Sequence, residues 1–322
     1  MRAIFIGGCP RSGTTLLGAL LGAHSRCVCV PEMPFKFDLL YGIDWNAPGL
    51  SWWKIRKTIE HLGSFRMWGI DPDALASRNG DAPGHDLTYR QVIEDLVRQY
   101  AVAADRESAD VWVEHIPHNI RHVHALLAEF PDAVILHLIR DGRGVAASLL
   151  PVGWGAGTEL AAAGYWAEHL AYGFAAERQA PDLVHRVHYE RLLREPQAEL
   201  ARLCEIAGLE MEPQLGRETR FPIPRDTLGQ HALVARPPDP ARADSWKTAL
   251  SRRQIETFEY QAGELLRSLG YELEFGGRAT PPSMVERMQL ELRGLAWEVK
   301  RLGWKSVLEV KHRLKLGRPD AF

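Results

Sequence analysis

Cysteine is scarce in this chain. Four residues in 322, Cys9, Cys27, Cys29 and Cys204, are too few and too unevenly spaced for a disulfide framework or a four-ligand zinc site. Cys27 and Cys29 invite a metal reading, yet the alternation Cys27-Val28-Cys29-Val30 fits a buried strand better, and no metal is expected. A charge excess is also missing. With 39 Lys and Arg against 41 Asp and Glu, the net charge of -2 gives no global reason to expect nucleic acid or an anionic membrane as partner. Long apolar runs are absent too: the opening Ala3-Ile4-Phe5-Ile6 stops at Gly7-Gly8, too short for a signal sequence or a membrane span, so a soluble, cytoplasmic chain is expected. No internal repeat is present. What remains is a 46% hydrophobic chain able to bury a substantial core, which excludes disordered and collagen-like classes.

Strand-like apolar runs recur at residues 3–6, 27–30, 111–114, 133–139 and 183–188. Helical patterns lie between or after them at 15–24, 87–104, 120–130 and 158–178, with a further helix over 251–269. Strands alternating with helices predict an α/β fold, a mostly parallel central sheet with helices on both faces. In such folds the loops leaving the strand C-termini share one edge, and ligands bind there. Residues 31–86 break the rhythm with Trp45, Trp52, Trp53 and Trp68, and either shape a substrate pocket over that edge or pack a subdomain core. Residues 213–240 hold six prolines and read as a long ordered loop. From residue 278 onward the composition turns basic, ten Lys and Arg against five Asp and Glu, and helical. Met288, Leu292, Leu295, Val299 and Leu302 keep a 4-3-4-3 spacing, followed by a second phase at Val307, Val310 and Leu314. That extension either packs on the chain's own core, makes a homodimer contact, or meets a membrane surface or an acidic partner.

Gly8-Cys9-Pro10-Arg11-Ser12-Gly13-Thr14-Thr15 follows a strand and opens a helix, which is the G-x-x-x-x-G frame and context of a P-loop phosphate cradle. The lysine of nucleoside triphosphate enzymes is missing, because Thr14 stands in its place. That loss argues against ordinary ATP or GTP hydrolysis. Arg11 supplies a different cation, a planar guanidinium that matches two oxygens of a phosphate or sulfate. A second strand delivers Arg140-Asp141-Gly142-Arg143 to the same edge, with Ser148 on the following helix, and implies a second anionic group; the alternative is that Arg140 and Asp141 cap that helix or pair with each other.

These two segments, 10–17 and 138–148, resemble the nucleotide motifs of the sulfotransferases that use 3'-phosphoadenosine-5'-phosphosulfate (PAPS). Supporting pieces are His188-Tyr189-Glu190-Arg191 after a strand, Arg236-Pro237 in the long loop and Ser245-Trp246-Lys247. In motif detail the chain is most similar to the tyrosylprotein sulfotransferases and their bacterial relatives. The resemblance implies a P-loop NTPase-like three-layer sandwich over residues 1–275 as the PAPS-binding domain, with 31–86 as an acceptor-shaping insertion and 278–322 as a basic amphipathic helical extension. It implies PAPS as co-substrate, no metal, and a hydroxyl-bearing acceptor: small molecule, sugar, lipid or tyrosyl peptide. Arg11, Ser12, Gly13, Thr14 and Thr15 would hold the 5'-phosphosulfate, Arg140 and Ser148 the 3'-phosphate, with Tyr189 and Arg236 beside the nucleotide.

Sulfuryl transfer needs an in-line acceptor oxygen, a base for its proton and cations for the charge that builds on the leaving oxygen. Glu32 lies 21 residues after Arg11, the spacing of the catalytic glutamate in the tyrosylprotein enzymes, and is the implied general base. Two departures stand out. Relatives commonly read Glu-Lys-Thr-Pro where this chain has Glu114-His115-Ile116-Pro117, so His115 takes the place of a transition-state lysine. An imidazole, with an ordinary pKa near 6.5, is either a partly charged substitute or a structural residue. Gln230-His231 stand where relatives offer Ser-Thr to the donor. Two other classes compete: a P-loop small-molecule kinase, for which Glu114 and Asp141 would be the strand-end acids, and a catalytically impaired nucleotide-binding scaffold.

Overall fold

The computed structural model describes residues 1–71, 87–217 and 237–313, the last segment to residue 302 in its side chains. Arg236, Gln230, His231, Val307, Val310 and Leu314 fall outside the residues so described. Five strands, β1 (Arg2–Gly8), β2 (Cys27–Cys29), β3 (Val111–Glu114), β4 (Val134–Ile139) and β5 (Val184–His188), form one parallel sheet in the order β2-β3-β1-β4-β5. The three inner strands are apolar in nearly every position because both faces of the sheet are covered there, while the edge strand β5 carries His185, Arg186 and His188, none of them buried. From β1, Ala3 and Phe5 enter one core layer, with Trp112, Phe130 and Ile135, while Ile4 and Ile6 enter the other, with Leu17, Leu20, Val113 and Leu136. Cys27 and Cys29 sit in that second layer and Val28 in the first, which is the strand reading of the Cys-Val-Cys segment, and all four cysteines are free and buried.

Helices α1 (Thr14–Leu21), α2 (Phe35–Gly42), α3 (Trp52–Ile59), α4 (Gly63–Arg66), α5 (Tyr89–Ala103), α6 (Val123–Glu129), α7 (Gly142–Leu149) and α8 (Glu159–Gln179) precede β5. After it come α9 (Tyr189–Arg194), α10 (Pro196–Ala207), α11 (Trp246–Ala249), α12 (Arg252–Ser268) and α13 (Met284–Arg313). The 120–130 pattern resolves into a 3-10 turn, Pro117–Arg121, followed by α6, since Pro117 supplies a fixed φ and no N–H at the start of that turn. Several helices start at side-chain caps: Thr88 for α5, Asp141 for α7, Thr158 for α8, and Ser251 with Gln254 as a capping box for α12. Two tryptophans of the 31–86 segment, Trp52 and Trp68, are buried in the main core with Phe35 and Phe65, so this part of the segment serves as a core layer. No helix among the described residues is long and apolar enough to cross a membrane.

Candidate active site

The strand order reverses direction at β1, which lies between β3 and β4, and the loop leaving β1 therefore opens at the crevice where such sheets bind ligands. Gly13 enters α1 with φ 100°, in the left-handed region, and a Cβ there would lie 2.7 Å from the Tyr189 ring. Only glycine meets both conditions. Arg11 also has a positive φ, 74°, a conformation that costs a side-chain-bearing residue on the order of 1 kcal/mol and is held here by its contacts. No side chain caps α1. The N–H groups of its first turn are thus available to an anion at the positive end of the helix dipole.

Arg140 leaves the end of β4 and donates from Nη1 to the main-chain carbonyl of Arg11 at 2.8 Å, with Ser148 Oγ at 3.5 Å. Its guanidinium lies 4.6 Å from the centre of the Tyr189 ring. Glu190, next to Tyr189, accepts from the Asp141 N–H at 2.9 Å and from the Tyr271 hydroxyl, which ties the ends of β4 and β5 together. The sequence-predicted Arg11, Ser12, Gly13, Arg140, Ser148 and Tyr189 are therefore brought into one place. Thr14 and Thr15 form the buried first turn of α1 below them.

The two arginines of Arg140-Asp141-Gly142-Arg143 have opposite surroundings. Arg143 is buried between Asp141 Oδ2 at 2.7 Å and Glu259 Oε1 at 2.6 Å, and Asp141 also caps α7 through the Arg143 N–H. Asp141 thus caps and pairs, but with Arg143 rather than Arg140. Among the described residues no carboxylate reaches Arg140, and the buried atoms Arg11 Nε, Ser12 Oγ and Arg140 Nε have no hydrogen-bond partner. A third cation, which sequence reasoning missed, comes from the 3-10 turn Pro240–Ala243. Arg242 acts on Arg11 through its charge, while the neighbouring Asp244 is taken up by Arg194 and Lys247. Burial, then Arg140, then Arg242 push the Arg11 guanidinium pKa below its ordinary value, which is the direction expected for cations gathered without a counter-charge. Partnerless buried donors and arginines without acids are what a bound dianion would satisfy.

A second cluster lies at the ends of β2 and β3. His115 Nδ1 is 3.9 Å from Glu32 Oε1, and the buried imidazole packs so closely on α1 that a Cβ at Gly18 would meet its Cδ2 at 2.9 Å. The Glu32 carboxyl is pushed up to about 7, chiefly by burial and then by the charge of Glu114, with Lys36 pulling the other way. Because 41% of the Glu32 side chain still meets solvent, water moderates that shift without reversing it. Glu114 is fully enclosed and accepts from Lys36 Nζ at 2.5 Å, Asn119 Nδ2 at 2.7 Å, Met33 N at 3.0 Å and Ile116 N at 3.1 Å. Burial alone would raise it, but these donors, Lys36 first, hold it below the ordinary carboxylate range. Lys36 was not singled out from the sequence; its position four residues after Glu32, in an apolar stretch, is the only signal it offered.

The sequence pattern of the sulfotransferase family matches residues 3–213, from β1 through α10. The chain belongs to that family. Among its relatives, an uncharacterized protein of Aquifex aeolicus (strain VF5) is 25% identical over 244 residues, 71% of this chain and 28% of that protein. A Caenorhabditis briggsae protein, provisionally named a protein-tyrosine sulfotransferase, is 24% identical over 220 residues, 66% of this chain and 67% of its own. The chain thus spans less than a third of the first relative's length. Two solved structures share the fold: the sulfotransferase domain from the Synechococcus PCC 7002 olefin synthase, with a TM-score of 0.59 at 20% identity over 84% of this chain and 95% of that one, and the sulfotransferase domain from the curacin biosynthetic pathway, with 0.54 at 23% over 85% and 99%.

Proposed function

We propose that this chain transfers the sulfuryl group of PAPS to a hydroxyl of an acceptor, in line and without a metal. The observation that carries the reading is the set of acid-free arginines around an uncapped helix start, with a carboxyl of raised pKa at the neighbouring strand ends. Arg11, Ser12, Gly13 and the first turn of α1, Thr14 and Thr15, would hold the phosphosulfate. Arg140 and Ser148 would hold the 3'-phosphate beside Tyr189. PAPS supplies the activated sulfur, and the bond that breaks is the one from sulfur to the bridging oxygen.

Glu32 takes the proton of the acceptor hydroxyl as the new oxygen–sulfur bond forms. A carboxyl held above the ordinary glutamate range is a stronger base than an ordinary glutamate and is still partly ionised near neutral pH. His115, within reach of Glu32, contributes positive charge to the departing oxygen when it is protonated. A phenolic acceptor suits this base, and the name of the C. briggsae relative supports that class.

The kinase reading loses its metal-holding acids, since Glu114 is occupied by four donors and Asp141 by Arg143. Calorimetry comparing 3',5'-bisphosphoadenosine with ATP plus Mg²⁺ tests the donor. Tight binding of the first and not the second is expected, and the reverse order would overturn the reading. Turnover of labelled sulfate from PAPS to a phenol or alcohol panel separates an enzyme from a scaffold.

A further inference from the structure

Helix α13 has two apolar edges that point in opposite directions. One edge is docked on the body of the protein. Leu290 is buried, Glu286 meets Arg253 Nε at 2.8 Å and Arg293 reaches Glu159 at 3.3 Å. Trp297 lies so close to the loop before α8 that a Cβ at Gly157 would be 2.8 Å from its own Cβ. The other edge carries Val285, Met288, Leu292, Leu295 and Val299, each 56–64% exposed, and Leu302 continues the line. At about 100° per residue the centre of this stripe falls roughly half a turn from the docked edge. Rotation of the helix cannot bury both, so packing on the chain's own core, one of the readings open from the sequence, does not account for the stripe among the described residues.

The spacing identifies what covers it. Intervals of 3, 4, 3, 4 and 3 residues repeat every 3.5, which makes a narrow seam fitted to one other helix rather than the wider face that rests on a sheet or a bilayer. In heptad terms Val285, Leu292 and Val299 fall at a, and Met288, Leu295 and Leu302 at d. Valine at a with leucine at d favours two parallel strands. The flanking charges favour the same arrangement. Glu291 and Glu298 stand at g; in a fully overlapped antiparallel pair they would face each other, whereas in a parallel pair they meet Ala296 and Gly303 of the other helix. An anionic membrane finds little charge on residues 284–302. Four basic side chains stand against three acidic ones there, and Arg293 and Arg301 are already paired with Glu159 and Glu298.

We infer that α13 is a dimerisation helix that pairs in parallel with α13 of a second copy of this chain. Sedimentation of the full chain from about 1 to 50 µM tests the pairing, and Leu292→Glu with Leu295→Glu should raise the dissociation constant at least about tenfold while the circular dichroism and bisphosphoadenosine affinity stay unchanged. Orientation is read separately. All native cysteines are buried, so Leu295→Cys introduces an exposed thiol that forms a disulfide with its own copy only across a parallel seam. A wild-type chain that is monomeric at 50 µM overturns the inference, as does a dimer indifferent to the two glutamates. Cross-linking in a mixture of Leu292→Cys and Leu295→Cys chains but not in Leu295→Cys alone overturns the parallel arrangement. Monomers that pellet with phosphatidylserine vesicles would assign the stripe to a membrane surface instead.

Discussion

Arg140 Nη1 donates to the main-chain carbonyl of Arg11 at 2.8 Å, joining two segments 129 residues apart. The bond does two things at once. It satisfies one edge of a buried guanidinium, and it holds Arg11 in its left-handed backbone state at the entrance of α1. Nothing acidic completes the arrangement among the described residues, so the remaining donors of both arginines point the site toward an anion.

Arg11→Ala and Arg140→Ala should each weaken bisphosphoadenosine binding about ten- to a hundredfold, since each removes a charge-assisted contact of about 1.5–3 kcal/mol. Arg242→Ala, which acts on Arg11 through charge alone, should weaken it less. Arg143→Ala should behave differently: it leaves Asp141 and Glu259 buried without their cation and costs about 3–5 kcal/mol of stability. Calorimetric titration and thermal melts on the same four proteins check the split, and unchanged affinity in both Arg11→Ala and Arg140→Ala would remove the donor assignment.

Glu32→Gln keeps size and shape but cannot take a proton, so kcat should fall by about 10²–10⁴ with nucleotide affinity near wild type. The loss should be larger for an aliphatic alcohol than for a phenol. In the wild type the acid limb of the activity profile should lie near pH 7, because the base works deprotonated, and activity should fall again at higher pH as the protonated form of His115 is lost. The stability consequence has the opposite sign. A carboxyl raised in the folded state costs stability as pH climbs from its ordinary value to about 7, and that cost persists above. Glu32→Gln should therefore melt higher than wild type at pH 8, by on the order of 1 kcal/mol after allowing for solvent screening of the half-open side chain, and no higher at pH 4.

His115→Lys restores a permanent cation beside Glu32, so turnover above neutral pH should be preserved or raised. A collapse with intact folding would give the imidazole a role of its own. Gly18→Ala probes the same residue from behind. Its Cβ would press on the His115 ring, and kcat should drop with bisphosphoadenosine affinity nearly unchanged.

Lys36→Met and Glu114→Gln each break a buried pair and should lower stability by about 3–5 kcal/mol. Their effects on the activity profile should differ in sign. Loss of the Lys36 cation moves the acid limb of the pH profile above 7, and loss of the Glu114 anion moves it below. Limbs that stay in place in both variants would show that Glu32 is not the group being titrated.

Much of this was legible in the residue order. The strand Ala3-Ile4-Phe5-Ile6, the glycine-framed loop and the helix after it are local features, and so is the substitution of Thr14 for a lysine. Apolar periodicity placed all five strands, and the 4-3-4-3 spacing of Met288, Leu292, Leu295, Val299 and Leu302 is visible in the residue order of α13. These signals depend on neighbours within a few residues, which is why composition and spacing carry them.

Charge partners were decided only by the tertiary structure. Arg140 and Arg143 are indistinguishable by sequence position, yet one found Glu259, 116 residues away on α12, and the other found a carbonyl in the phosphate loop. Lys36 acquires its role only when β3 places Glu114 against it. The direction of the α13 stripe was likewise set by which edge Gly157, Glu159 and Arg253 captured. The sequence by itself determined the five strands, the phosphate loop with its helix and the chemical groups their ends present; folding decided which of those groups neutralise one another and which are left for a ligand or a partner, because electrostatic pairing acts through space between segments that no local pattern connects.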